Sequence, residues 1–234
     1  MRYLSIISVV LIVVVCMFSY EAVASNDGAY IASYKGDVKV VPSGSRVGTP
    51  ASTNMRLSPG DWLTTGKHSE VTIGFDSQSG CFTKISEDSL VEIKNGEPEW
   101  IKLVDGKLLA RLQGMDASDM FMVRTPVSAC GARGTGWTVT TNGVEDNIKV
   151  FESRVFMRGI DIDGSLMEKE VWIEQGYEGN AKKNETPQVG KKLSQGEMKA
   201  LWDEAYSLPK VKTKTARTSS GIVEMNGKGV NASR

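Results

Sequence analysis

Few residues of this chain combine the types and spacing that do chemistry. His68 is the one histidine in 234 residues. It stands in Gly66-Lys-His-Ser-Glu70, beside Ser69 and Glu70, the residue types of a nucleophile, base and orienter set. Triads, however, assemble in space from separate segments, and no Gly-x-Ser-x-Gly elbow exists to present a nucleophile. A turn histidine is expected, and a hydrolase built on His68 is the least favoured reading. One histidine and three cysteines make a poor zinc set. Asp161-Ile-Asp163-Gly164 echoes the start of a calcium loop without its third ligand or distal glutamate, and reads as a hairpin turn. Met115, Met120 and Met122 surround Phe121; thioethers bind Cu(I), but methionine is ordinarily core filler. Gly131-Ala-Arg-Gly134-Thr-Gly136 is not a dinucleotide fingerprint, and no βα unit follows it. No catalytic residue, cofactor or metal is expected, and a binding protein is favoured over an enzyme.

Binding candidates are an arginine and four tryptophans. Arg133 lies among Gly131, Gly134 and Gly136, where a tight corner leaves carbonyls in need of donors. It is expected to be buried there, with anion binding as the alternative if it is exposed. Trp62, Trp100, Trp137 and Trp172 each lie near a strand end or turn and would suit glycan stacking or a protein interface. Core packing is the default for all four, and Trp100 and Trp172 are the better candidates for surface binding.

The elements that must position these residues are short strands. Gly36–Val41 alternates; Val71, Ile73 and Phe75 share a face; Cys81 begins the run to Ile85; Leu90 to Ile93 divides its faces before Asn95-Gly96, a strong hairpin signal. Ile101 and Leu103 precede Asp105-Gly106, and Leu108, Ala110 and Leu112 follow, predicting a second hairpin. Pairs at Ile148 and Val150, Val155 and Met157, Val171 and Ile173 continue the series, with turns at Asn142-Gly143, Glu152-Ser153 and Asp163-Gly164. Such spacing predicts an all-β domain: a solenoid-like or roll-like stack of short, mainly antiparallel strands, with a β-sandwich as the alternative. The one helical segment is 193–206. Ser194 and Glu197 form a capping box, Met198, Leu201, Trp202 and Ala205 share a face, and Pro209 stops it. It is expected to close an open end of the stack. Residues 209–234 are basic and aperiodic and read as a disordered tail. A formal net charge of zero argues against a nucleic-acid surface.

The ordered motifs resemble the FecR domain. Thr125-Pro126, then Ala132-Arg133-Gly134-Thr135 and Trp137, resembles its central signature. Leu57-Ser-Pro-Gly60-Asp61-Trp-Leu-Thr-Thr-Gly66 resembles its entry motif. Val71–Phe75, with the turn Asp76 to Gly80, resembles the hairpin that follows, and Ile101–Leu108 its Leu-x-x-Gly-x-Leu turn. The likeness runs from about Tyr34 to Gly179. It departs at Ser153, where glycine is usual, and in lacking the helical anti-sigma segment. The resemblance implies structural roles for Gly60, Asp61, Gly131, Arg133, Gly134, Thr135 and Trp137, and core positions for Trp62 and Trp137.

Met1-Arg2, the apolar run Leu4–Phe18 and Ala22-Val23-Ala24 have the layout of a secretory signal peptide. Residues 1–24 are expected to be removed, with Cys16 a poor lipobox cysteine behind Val15. Residues 25–33 then read as a lead-in, 34–190 as the β-domain and 191–208 as the helix. Export leaves Cys81 and Cys130, an even count that permits one disulfide, with two buried thiols as the alternative. Together these readings give a periplasmic, non-enzymatic module for binding and signal coupling. Its expected partner is an envelope protein, in the resembled family an outer-membrane receptor; the alternative is a cell-wall glycan.

Overall fold

Buried and half-buried residues alternate at period two through Cys81–Ile85 and Ser89–Ile93, so each of these strands turns one face to a core. The computed structural model describes residues 28–75, 80–94, 99–113 and 120–209. The leader with Cys16, Met115, the turns at Asp76 and at Asn95-Gly96, and the basic tail from 210 lie outside the described residues.

In chain order the strands are β1 (Ala29–Lys35), β2 (Val38–Val41), β3 (Thr49–Pro50), β4 (Arg56–Leu57), β5 (Trp62–Thr65), β6 (Glu70–Phe75), β7 (Cys81–Ile85), β8 (Ser89–Ile93), β9 (Glu99–Leu112), β10 (Phe121–Arg124), β11 (Ser128–Ala132), β12 (Gly136–Thr141), β13 (Glu145–Glu152), β14 (Arg154–Ile160), β15 (Leu166–Glu174), β16 (Tyr177–Lys182) and β17 (Gln188–Lys192), followed by α1 (Gln195–Tyr206). They form one open sheet, mixed because β9 and β10 run parallel. The sheet folds at β9 into two layers. Layer A runs β4-β1-β6-β7-β9-β12-β13-β16-β17. Layer B runs β3-β2-β5-β8-β9-β10-β11-β14-β15. The chain moves between layers as it advances, which gives the expected all-β stack.

The segment expected to turn back at Asp105-Gly106 does not. It is the single 14-residue strand β9, whose first part pairs with β8 and β10 and whose second part pairs with β7 and β12. Gly106 makes the crossing. Its φ of +101 suits glycine, and an added Cβ would fall on the Ser89 side chain. Similar crossings stack beside it: the Ser69 Oγ accepts the Asp37 N–H at 2.8 Å, and the Thr65 Oγ1 donates to the Ser86 carbonyl at 2.6 Å. Short polar residues thus satisfy backbone groups that the passage between layers would otherwise strand.

Both layers feed one core. Ile31, Ile73, Ile85, Val139 and Ile148 enter from layer A, and Leu63, Val91, Ile93, Val123 and Met157 from layer B. At one end Phe75 meets Trp100 and Phe121 edge-on, and Phe121 meets Trp137. Trp100 is therefore core, 5% exposed, with its indole N–H bonded to the Met120 carbonyl at 3.0 Å. The default of core packing holds for it, and its candidacy for surface binding is corrected. Its site at the β9 start places it over Phe121 at 5.8 Å, stacked. β1 begins within the segment 25–33 read as a lead-in and continues to Lys35, paired along β6.

The helix keeps its capping box: the Ser194 Oγ accepts the Glu197 N–H, and the Glu197 carboxylate accepts the Ser194 N–H at 2.8 Å. That backbone bond holds the Glu197 pKa down to about 2, with the Ser194 hydroxyl next in weight. Its position corrects another expectation. α1 does not close an end of the stack. It lies on the outer face of layer A, where Leu201 and Ala205 pack with Leu109 and Phe151, and Met198 and Trp202 join them. Phe82 and Leu109 point away from the main core and supply an apolar platform that the helix covers.

Candidate binding site

The glycine corner is smaller than its sequence implies. Ser128–Ala132 is a strand, β11, paired with β10 and β14, so Cys130 and Gly131 are ladder residues. Gly131 carries no side chain because the Phe156 ring occupies the place: a Cβ would come within 2.8 Å of it. The true corner is Arg133 to Thr135. Thr135 is buried, and its Oγ1 donates to the Glu152 carbonyl at 2.6 Å. Trp137 behind it is fully buried.

Arg133 is exposed, not buried beneath the corner. The carbonyls it was expected to serve are met by other donors, such as the Leu112 N–H on the Thr135 carbonyl at 2.9 Å. Across from it lies the β13–β14 corner, with Ser153 at φ +58. Ser153 holds the left-handed conformation that glycine adopts most readily. The two corners flank a groove of about 380 Å³ lined by Met120, Ala132, Arg133, Arg154, Phe156 and Trp172, with Ser153 at its lip. The ladder register sets Phe156 opposite Trp172 and Arg154 opposite Glu174. The Arg154 guanidinium lies 4.5 Å from the Trp172 ring centroid, and Phe156 meets that ring edge-on at 6.0 Å. Trp172 is 42% exposed. Sequence reasoning found Trp172 and Arg133 but missed Arg154 and Phe156, which the alternation of β14 against β15 would have revealed once the two were paired.

The remaining candidates are structural. Asp61 is buried and clamps two loops, accepting the Ser43 N–H at 2.9 Å and the Ser58 N–H at 2.8 Å, while the Gly60 N–H bonds the Ile93 carbonyl at 2.7 Å. Trp62, expected in the core, is half-buried; its neighbour Leu63 faces inward instead. His68 is exposed at φ +57, its N–H bonded to Glu87 at 2.6 Å, while Ser69 is committed to the Asp37 N–H. The Asp161–Ser165 turn uses its carboxylates on its own backbone: Asp161 accepts the Ile162 N–H and Asp163 the Ser165 N–H. No cluster of three metal-ligating side chains occurs among the described residues.

The expected disulfide is not formed. Cys81 and Cys130 are buried thiols in different layers, Cys81 paired across β7 and β9 with Leu112, and Cys130 across β11 with Val123 and Met157. Burial, and then the charge of Asp146, push the Cys130 thiol far above its ordinary pKa, so it is no nucleophile. Asp146 itself joins the layers: its Oδ2 accepts the hydroxyls of Thr125 and Ser128, each at 2.5 Å. Burial raises its pKa against those hydrogen bonds. The Thr125-Pro126 motif is thus a turn whose hydroxyl also caps the Val127 and Ser128 N–H groups.

No family model and no curated protein matches the chain. Solved structures similar to it include two of a candidate anti-sigma factor from Parabacteroides distasonis ATCC 8503. One is 9% identical with a TM-score of 0.45, covering 57% of this chain and 61% of that one; the other is 10% identical with a TM-score of 0.40, covering 50% and 54%. The chain thus spans less than two thirds of either. No helix among the described residues is long and apolar enough to cross a membrane.

Proposed function

We propose that this chain is a non-catalytic, FecR-like module of the periplasm that couples a signal by binding an envelope protein through the outer face of layer B. The observation that carries the reading is the uncovered Trp172, held between Arg154 and Phe156 beside Arg133, on the face that α1 leaves open. An exposed aromatic and arginine in one patch is the composition of interface hot spots. The leader-like N-terminus and the FecR-like motifs supply the compartment and the signalling role.

Photocrosslinking in the envelope tests this. A photoreactive residue replacing Glu170 or Glu174, beside Trp172, is expected to capture one defined protein, and Trp172→Ala to abolish the adduct. A probe replacing Lys199 on α1 serves as the control and yields none. Equal capture from both faces, or capture of cell-wall material alone, overturns the reading; the second result favours glycan binding.

A further inference from the structure

The groove's chemistry narrows the partner. Its walls carry two guanidinium groups, Arg133 and Arg154, and among the described residues no carboxylate lines it, Glu174 standing opposite Arg154 outside the groove. Its floor is apolar, from Ala132, Phe156 and Met120. A volume near 380 Å³ falls in the usual range of ligand sites, roughly 300–1,000 Å³. The Arg154 guanidinium carbon lies over the Trp172 ring, 4.5 Å from its centroid, and the side chain is exposed, so its N–H donors are open to solvent. A planar donor fork above an apolar floor fits a carboxylate attached to an apolar body.

We infer that the groove receives a peptide segment of the partner in which an aromatic or large aliphatic side chain stands next to a carboxylate. The inference rests on reading layer B's outer face as the binding face. The covered face of the same molecule uses this layout: α1 lays Leu201 and Trp202 over Leu109 and Phe151, Arg111 lies 5.9 Å from the Trp202 ring, and Glu204 and Glu197 pair with Lys107 at 2.7 Å and Lys149 at 3.3 Å. An apolar, acidic segment is what seats on a basic, aromatic face here, its carboxylates on lysines and its aromatic rings by the arginine. A neutral sugar suits the groove less well, because stacking needs a bare indole face and Arg154 occupies one at 4.5 Å.

The test is calorimetric titration of the intact chain with the capped hexapeptide Gly-Gly-Phe-Glu-Gly-Gly, its Glu-to-Gln and Phe-to-Ala counterparts, and chitotriose, a neutral N-acetylglucosamine oligomer, as the glycan probe. The Phe-Glu peptide is expected to bind about tenfold more tightly than either counterpart, with an affinity that falls as salt rises. Arg154→Gln, checked for an unchanged melting temperature, is expected to remove the preference for glutamate, and Arg154→Lys to restore only part of it. Equal binding of the Glu and Gln peptides overturns this inference and leaves the open-face reading standing. Tighter binding of chitotriose than of any peptide overturns both. Absence of binding by every probe overturns the inference alone, since the envelope crosslink is a separate measurement.

Discussion

The two outer faces carry the same kit of side chains in different states. On layer A, Arg111 sits near Trp202 and Tyr206, with Phe151 edge-on to Trp202 at 5.1 Å, and α1 supplies half of the cluster. On layer B, Arg154, Trp172 and Phe156 repeat the combination, and every member comes from the sheet. In the first cluster the aromatics are structural, because removing them uncovers a platform built to be buried. In the second, no described segment completes the cluster, and its arginine and indole face solvent. The lesson is that an arginine–aromatic cluster reads as a site only once its cover is accounted for.

The largest effect should fall on the covered face. Phe151→Ala is expected to cost about 3–5 kcal/mol of unfolding free energy, because the ring is fully buried between β13 and α1. Urea titration measures it, and a loss below about 1 kcal/mol would show that α1 does not depend on the platform. Next comes the tie between layers. Asp146→Ala leaves the Thr125 and Ser128 hydroxyls without their acceptor and should cost about 1–3 kcal/mol. The same carboxylate predicts a pH effect. Its pKa is raised in the fold, so the folded chain holds a proton there that the unfolded chain has lost. Stability should therefore decline as pH rises from the ordinary value of 3.8 through the raised native one. Asp146→Asn should flatten that slope, and an unchanged slope would assign it elsewhere. Ser194→Ala removes the helix cap and should cost about 1 kcal/mol, with α1 loosening before the β-stack in hydrogen exchange. The smallest effect belongs to the open face: Trp172→Ala should shift stability by less than about 1 kcal/mol while removing partner capture. A stability loss as large as that of Phe151→Ala would make Trp172 a core residue and erase the contrast.

Particular residues show what was legible in the sequence. Alternation marked β7 to its ends, and turn chemistry marked the β14–β15 hairpin, because both are local signals. Ser194 and Glu197 announced the helix start for the same reason. The Asp105-Gly106 pair misled, because a residue at positive φ serves a hairpin and a crossing between layers equally well; only the partner strands distinguish them. Trp100 and Trp172 had similar surroundings in sequence, yet one is stacked on Phe121 and the other stands under Arg154. That difference lies in which strands neighbour each, and pairing order is not a local property. The place of α1 was hidden likewise: its apolar stripe fits an end or a face, and the outward Phe82 and Leu109 decided it. The exposure of Arg133 was hidden because Gly131 and Ala132 were assigned to its corner when they belong to β11, so the demand for buried donors was overstated.

The central claim is that the outer face of layer B is the working surface and that of layer A is closed. Oxidative footprinting of Trp172 against Trp202 tests it most directly, comparing the purified chain with the chain in its envelope fraction. Trp172, 42% exposed, should oxidise readily when purified and be protected in the envelope, while the half-buried Trp202 should oxidise equally slowly in both. Protection that appears at Trp202, or Trp172 oxidation that does not change between the two states, would contradict the account.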